Sequence, residues 1–222
     1  MHSLAGLGLA GLIAVQPGAQ PEAQPRPQTP IFQPGAPGAA SRVITADAAV
    51  ALGRTTFTPA DAGCMQHMIV HHAQAVEMVG LLQTQGSNAT VKRLGQRIAL
   101  SQEAEMALMR DWLATRGQPP AMPGMDPAMH AGHAMPASET PLMAGMLSPA
   151  QMQTLAAARG PAFDRLFLEG MIRHHQGALD MVDALLATPD AAQDTMLSDF
   201  TSSVVADQSA EILRMQSLLS DL

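Results

Sequence analysis

Between residues 59 and 116, apolar residues recur every three to four positions, the spacing at which side chains share one face of an α-helix. Thr58-Pro59 places an N-cap residue before a proline at the first helical position. These signals predict a first helix over Pro59–Gln85. Ser87 or Asn88 is expected to cap a second helix that extends to about Arg116.

The helical spacing returns in the second half of the chain. Ser148-Pro149 predicts a short lead-in helix, and a third long helix is expected over Pro161–Ala187. Thr188-Pro189 is expected to start a fourth helix that runs nearly to Leu222, and residues 45–53 form the lead-in helix of the first half. Each helical hairpin has an apolar stripe that it cannot bury alone. The pattern therefore predicts an all-α protein, an antiparallel four-helix bundle built from two repeated hairpins.

The two halves repeat one another at an offset of 103 residues. MIVHHAQAVEMV over residues 68–79 and MIRHHQGALDMV over residues 171–182 share a histidine doublet and its flanking methionines. Helical spacing places one set of side chains from each copy on a single stripe: Met68, His71, Ala75 and Met78 in the first, and Met171, His174, Ala178 and Met181 in the second. His72 and His175 complete the doublets.

The second helix of each half also repeats, at an offset of 106 residues. The matching sets are Gln102, Glu105 and Met109, and Gln208, Glu211 and Met215. Folding each hairpin back about its turn brings these residues within about one helical turn of the histidine stripe. A carboxylate beside an imidazole is the arrangement that fixes a metal-binding tautomer.

The recurring histidines and methionines indicate a copper site. A single helical histidine is more often a surface or core residue, and methionines alone are typical of core packing. Recurrence of both types in two copies, each facing a glutamate, favours metal ligation. Thioether sulfur prefers Cu(I), whereas imidazole suits both oxidation states, so Cu(I) is the preferred cofactor and Cu(II) a compatible one. A di-iron centre is disfavoured because the chain has no Glu-x-x-His.

Two further groups of soft ligands lie outside the doublets. The loop over residues 118–147 lacks helical periodicity and carries six candidate metal ligands: Met122, Met125, Met129, His130, His133 and Met135. We predict that this loop collects soft metal ions. In the first helix, Cys64 and His67 could add a third site with Met68 and His71, which the third helix lacks because Gly170 replaces His67. The alternative is that Cys64 is a small core residue.

Composition narrows the function classes. With 222 residues, a net charge of −7 and one lysine, the chain lacks the basic surface that nucleic acids require. Its aromatic content of 3% favours helices over a β-sandwich. A single cysteine excludes an intrachain disulfide framework and a multi-cysteine zinc motif.

The N-terminal segment of the chain predicts export. Residues 1–15 resemble a signal peptide and are too short to give the mature protein a stable membrane span. Residues 16–44 have the composition of a disordered Pro/Gln-rich tether. The helical domain is expected over residues 45–222, divided into repeat 1 (45–117), the Met/His-rich loop (118–147) and repeat 2 (148–222).

One family shares these motifs. The pattern reads Phe163-Asp164, Phe167-Leu168, Met171-Ile172, His174-His175, Gly177-Ala178 and Met181, followed by Gln208, Glu211 and Met215. It resembles the bacterial domain-of-unknown-function family number 305. The resemblance implies an exported ferritin-like helical bundle and a function in copper binding and copper tolerance. It also implies ligand roles for His71, His72, His174, His175, Met68, Met78, Met171 and Met181. The chain departs from the pattern at Gln66-His67, where repeat 2 has Glu169-Gly170.

The resulting hypothesis is a periplasmic or secreted copper-binding protein, not an enzyme, that sequesters or carries copper for homeostasis. Its expected partners are copper ions and copper-exporting or copper-accepting envelope proteins, and a homo-oligomer is compatible with the sequence. One alternative is a metal-dependent oxidoreductase of the cuprous oxidase type. Another is an envelope-stress interaction module that binds no metal.

Overall fold

The structure, a computed structural model, describes residues 30–34, 40–52, 56–121 and 142–222. The chain separates into two compact units, residues 1–53 and residues 54–222. The signal-peptide-like segment and all six candidate ligands of the Met/His-rich loop lie outside the described residues. The ligand roles predicted for the loop therefore stay predictions.

The first unit contains a two-stranded antiparallel sheet. Strand β1 (Ile31–Gln33) pairs with strand β2 (Arg42–Ile44), and helix α1 (Ala46–Leu52) follows. These strands differ from the expected tether without secondary structure. Both carry β-branched or aromatic residues, which favour extended backbone. Helix α1 lies where the first lead-in helix is predicted.

The second unit is helical in every regular element that the structure describes. Its helices are α2 (Pro59–Gln85), α3 (Ala89–Thr115), α4 (Pro149–Ala157), α5 (Gly160–Leu186) and α6 (Thr195–Ser220). Helix α3 packs on α2, α6 packs on α5, and α2 packs on α5. The predicted predominantly helical fold is confirmed.

Local capping explains where most helices begin. Thr58 and Asp61 form the capping box of α2, and Ser148 forms another with Gln151 at the start of α4. The Asn88 side chain accepts from the first free amides of α3. Each cap lies within three residues of the amides that it accepts from, so sequence patterns could reveal it.

The predicted start of the fourth long helix is wrong. Helix α6 begins at Thr195, not at Thr188-Pro189, and its N-cap is Asp194, whose side chain accepts from Leu197 N at 3.1 Å. Asp194 is held in place by Trp112, whose Nε1–H donates to it at 3.0 Å, and by an ion pair with Arg116. The Thr188 hydroxyl instead donates back to the end of α5.

Each hairpin turn is fastened by an aspartate of the other half. The Asp164 carboxylate accepts hydrogen bonds from the backbone and hydroxyl of Ser87 and from Asn88 N, in the turn between α2 and α3. Asp61 accepts from Ala192 N at 2.7 Å, in the turn between α5 and α6. Both carboxylates are fully buried, so these bonds set how the two halves are positioned around the seam between α2 and α5.

Candidate metal centre

Two histidine rings lie against each other, tilted by 37°, where α2 and α5 pack together. The ring centroids of His71 and His174 lie 3.8 Å apart, and both side chains are fully buried. His174 Nε2–H donates to the His71 carbonyl at 2.8 Å, and His71 Nε2–H donates to the Ala144 carbonyl at 3.3 Å. Carbonyl oxygens only accept, so Nε2 carries the proton in both rings. Each Nδ1 therefore keeps its lone pair, and each is buried without a hydrogen-bond partner in the part of the chain that the structure describes.

Burial keeps this central pair neutral. Desolvation, followed by the neighbouring His72, lowers the pKa of His71 to about 3. Desolvation, followed by His71, lowers the pKa of His174 well below its ordinary value of 6.5. Both imidazoles are consequently free bases at neutral pH.

The central pair predicts a loss of stability on acidification. Below pH 6.5 the unfolded chain binds protons at these two histidines that the folded chain cannot accept until the pH approaches the lowered folded-state values. The free energy of unfolding should fall with decreasing pH, approaching about 1.4 kcal/mol per pH unit for each histidine. Urea titrations at pH 7, 6 and 5 measure this slope. A His71→Gln/His174→Gln variant should lose most of it, and an unchanged slope would contradict the assignment.

The second histidine of each doublet is paired with a glutamate. His72 Nε2–H donates to Glu105 Oε2 at 2.5 Å, and His175 Nε2–H donates to Glu211 Oε2 at 2.7 Å. Both imidazoles are fully buried, whereas the glutamate side chains are 16% and 23% exposed. The carboxylate fixes the proton on Nε2, so Nδ1 presents a lone pair, which is again buried and has no hydrogen-bond partner among the described residues.

The sequence placed these glutamates beside the helical stripe of the first histidines. The structure instead pairs them with the second histidine of each doublet. Consecutive residues on a helix point about 100° apart, so the two histidines of a doublet face different neighbours.

The methionines divide between two core clusters. Met68 and Met109 lie in one cluster, with Met181 packed against it. Met171 and Met215 lie in the other, together with Met78. Met68 is one helical turn before His72, the spacing at which side chains on a helix touch. Met171 precedes His175 by the same spacing.

This division differs from the predicted stripe. Met68 and Met78 flank His71 in sequence, but they are about 15 Å apart along the helix and belong to different clusters. Among the predicted ligands, each cluster instead combines two methionines of one repeat with one methionine of the other. We define two candidate groups, each from a glutamate-paired histidine, the methionine one turn before it and two further methionines of the same cluster: constellation 1 is Met68, His72, Glu105, Met109 and Met181, and constellation 2 is Met171, His175, Glu211, Met215 and Met78.

The donors of these groups fit a soft ion. Among the described residues, no three His, Cys, Asp or Glu side chains converge where a metal ion could sit, so a hard-metal cage is not formed there. Each constellation offers one imidazole nitrogen with a free lone pair in a methionine-rich core. Imidazole with thioether is a donor set that suits Cu(I). The side-chain amides of Gln102 and Gln208 are also buried, and they have no hydrogen-bond partner among the described residues.

The residues predicted as a third site differ in exposure. Cys64 and His67 line a surface groove of about 330 Å³ together with Met181, whereas Met68 and His71 are fully buried. Burial, with the Asp61 carboxylate adding to it, raises the pKa of the Cys64 thiol to about 11. Cys64 is therefore a thiol at neutral pH, not the thiolate that binds metals.

The sequence did not reveal the segment that covers the central histidines. Gln74 makes two hydrogen bonds with the backbone of Leu147, at 2.7 and 2.9 Å. A Cβ at Gly177 would lie 2.3 Å from the Ala144 carbonyl oxygen, so only glycine permits this close approach. Gly145 has a φ of +78° in the same segment. Gly177 belongs to the repeated motif and occupies the position that corresponds to Gln74. This difference between the two repeats is the sequence signal that could have indicated the covering segment.

The family is decided by the sequence match to Domain of unknown function (DUF305), which extends over residues 61–219. The chain belongs to the DUF305 family. The resemblance expected from the histidine motif is thereby confirmed. No curated protein shows significant similarity to this DUF305 chain.

Solved structures are similar to the chain over most of its length. A DUF305 fragment from Deinococcus radiodurans has a TM-score of 0.62 at 32% identity, covering 76% of this chain and 100% of that one. A DUF305 protein from Streptomyces coelicolor has a TM-score of 0.61 at 28% identity, covering 73% and 93%. CopM in its Cu(II)-bound form has a TM-score of 0.54 at 27% identity, covering 72% and 96%. Its Cu(I)-bound form, at 24% identity, shows the shared fold alone.

Proposed function

We propose that this DUF305 protein binds copper in the periplasm or outside the cell, and sequesters or carries Cu(I) and Cu(II) for copper homeostasis and tolerance. The observation that carries the proposal is a buried histidine with a free Nδ1 lone pair, oriented by a glutamate within a methionine-rich core, which occurs twice. The likeness to CopM in its Cu(II)-bound form supports copper as the ion. The four long helices are proposed to form a ferritin-like antiparallel bundle of two repeated hairpins.

The proposed ligands in the first repeat are His72 Nδ1 and the sulfurs of Met68 and Met109, with Glu105 holding the ring. Thioethers do not titrate, so the methionines can hold Cu(I) at a pH where exposed histidines are protonated. Binding of this kind needs no acid–base pair or nucleophile. The protein is therefore proposed to be a carrier and not an enzyme.

The Met/His-rich loop is proposed to be a second place of copper binding. Its thioethers, from Met122 to Met135, would capture Cu(I) while the helices hold the more tightly bound ions. Copper-exporting or copper-accepting envelope proteins are the proposed partners.

Export is supported by one of the solved relatives. The DUF305 relative from Streptomyces coelicolor is described as a candidate secreted protein. In the part of the chain that the structure describes, no helix is both long and apolar enough to cross a bilayer.

Metal analysis of the full chain tests the proposal. Protein purified from copper-supplemented cells should retain copper through dialysis in excess of any zinc, and a chain lacking residues 122–135 should retain a smaller amount. Zinc in place of copper, or no metal at all, would contradict it. Repeated oxidation of added Cu(I) under oxygen, measured as oxygen uptake, would instead establish the oxidase alternative.

A further inference from the structure

Helices α3 and α6 border a groove of about 500 Å³ that is rich in arginine. Arg93 and Arg97 come from α3, and Arg214 comes from α6. Three leucines also line the groove, and one of them, Leu100, is 68% exposed. We call this feature the arginine groove. It combines three positive charges with apolar surface that the protein itself leaves uncovered.

The three guanidinium groups have no acidic partner among the described residues. Arg93 donates to the Thr90 hydroxyl at 2.9 Å, and none of the three takes part in an ion pair of the described chain. The whole sequence has 12 basic residues against 19 acidic ones. In an acidic protein, neighbouring arginines repel one another unless an anion lies between them.

Helix packing does not require arginine at these positions. The residues 106 positions away, in the corresponding part of the other repeat, are Asp199, Ser203 and Leu108. They line a second groove between α3 and α6, of about 680 Å³, which also contains Glu105. The same helices thus border one basic and one acidic groove, so their packing accommodates either charge at these positions.

We propose that the arginine groove binds an acidic peptide segment of a partner protein, with an apolar side chain of that segment against the leucines. Guanidinium groups form paired hydrogen bonds with carboxylates, and three of them fit several carboxylates along one chain. A groove between two helices accepts a single chain, whereas a membrane would need a convex or flat basic face. This site is distinct from the copper constellations and does not depend on them.

Fluorescence anisotropy with a labelled peptide of Glu-Glu-Leu repeats tests the site in the full chain. The variant Arg93→Asp/Arg97→Ser/Arg214→Leu gives the groove the residues found at the corresponding positions of the acidic groove. It should bind the peptide at least about tenfold more weakly, the loss expected from two or three charge-assisted contacts. Arg165→Asp/Arg173→Asp, at exposed arginines elsewhere, lowers the net charge by the same amount; it is the matched control and should bind like the parent. Replacing each Leu of the peptide with Ser should also weaken binding.

Several results would overturn the assignment. The peptide could fail to bind the parent, or the groove variant, shown to be folded by circular dichroism, could bind within twofold of it. An equal loss of peptide affinity in the control variant would show that the arginines act only through the net charge of the protein. Arginine-dependent binding to phosphatidylglycerol vesicles without peptide binding would make the groove a membrane contact. A parent dimer that the groove variant lacks would make it a contact between two copies.

Discussion

Replacing both His72 and His175 with alanine is expected to weaken Cu(I) binding by more than about a hundredfold. Loss of a residue that only orients a metal ligand already lowers metal affinity by about ten- to a hundredfold, and these histidines are proposed as the ligands themselves. Each substitution removes the imidazole nitrogen that supplies the free lone pair of its constellation. The remaining methionine sulfurs are weaker donors without it. Competition with a chromophoric Cu(I) chelator measures the change.

His67→Ala is the matched control for this variant. His67 lines a surface groove and is not a member of either constellation, so its loss should change affinity little. Alanine at a fully buried position leaves a cavity, and the affinities should therefore be compared well below the unfolding temperature of each variant. Affinity within about twofold of the parent in the double variant would remove His72 and His175 from the site.

Replacing both Glu105 and Glu211 with glutamine is expected to weaken copper binding by about ten- to a hundredfold. The amide keeps the size of the side chain and can still accept from Nε2–H, at 2.5 and 2.7 Å in the parent. It lacks the negative charge that makes the ring a better electron donor and stabilises the copper-bound state. The same chelator competition measures the loss.

Glu103→Gln/Glu169→Gln changes the same number of charges at exposed helical positions and is the control for net charge. It should leave affinity nearly unchanged. Equal effects in the two double variants would mean that Glu105 and Glu211 act only through long-range charge. If both double variants bind copper within about twofold of the parent, Glu105 and Glu211 do not contribute to copper binding.

Much of the fold could be predicted because its determinants are local. Thr58 with Asp61, Ser148 with Gln151, and Asn88 each cap a helix within three residues. The repeat at 103 residues pointed to paired helices carrying the doublets. The late start of α6 could not be predicted, because Asp194 is a cap whose position depends on Trp112 and Arg116, about 80 residues earlier in the chain.

The structure groups the predicted site residues differently from the sequence. Helical spacing groups residues of one helix, and it placed Met68, His71 and Met78 together. The grouping is decided by how α2 packs on α5, which joins Met78 to Met171 and Met181 to Met68. The contact of Ala144 with Gly177 likewise depends on tertiary packing, since it needs two segments far apart in sequence to approach closely.

X-ray absorption spectroscopy at the copper edge of the Cu(I)-loaded full chain tests the central claim most directly. Sulfur and nitrogen scatterers together in the first shell are the predicted result, because each constellation supplies an imidazole and thioethers. The nitrogen contribution should fall in the His72→Ala/His175→Ala variant. A first shell of oxygen and nitrogen alone, unchanged in that variant, would contradict copper binding at these histidines and methionines.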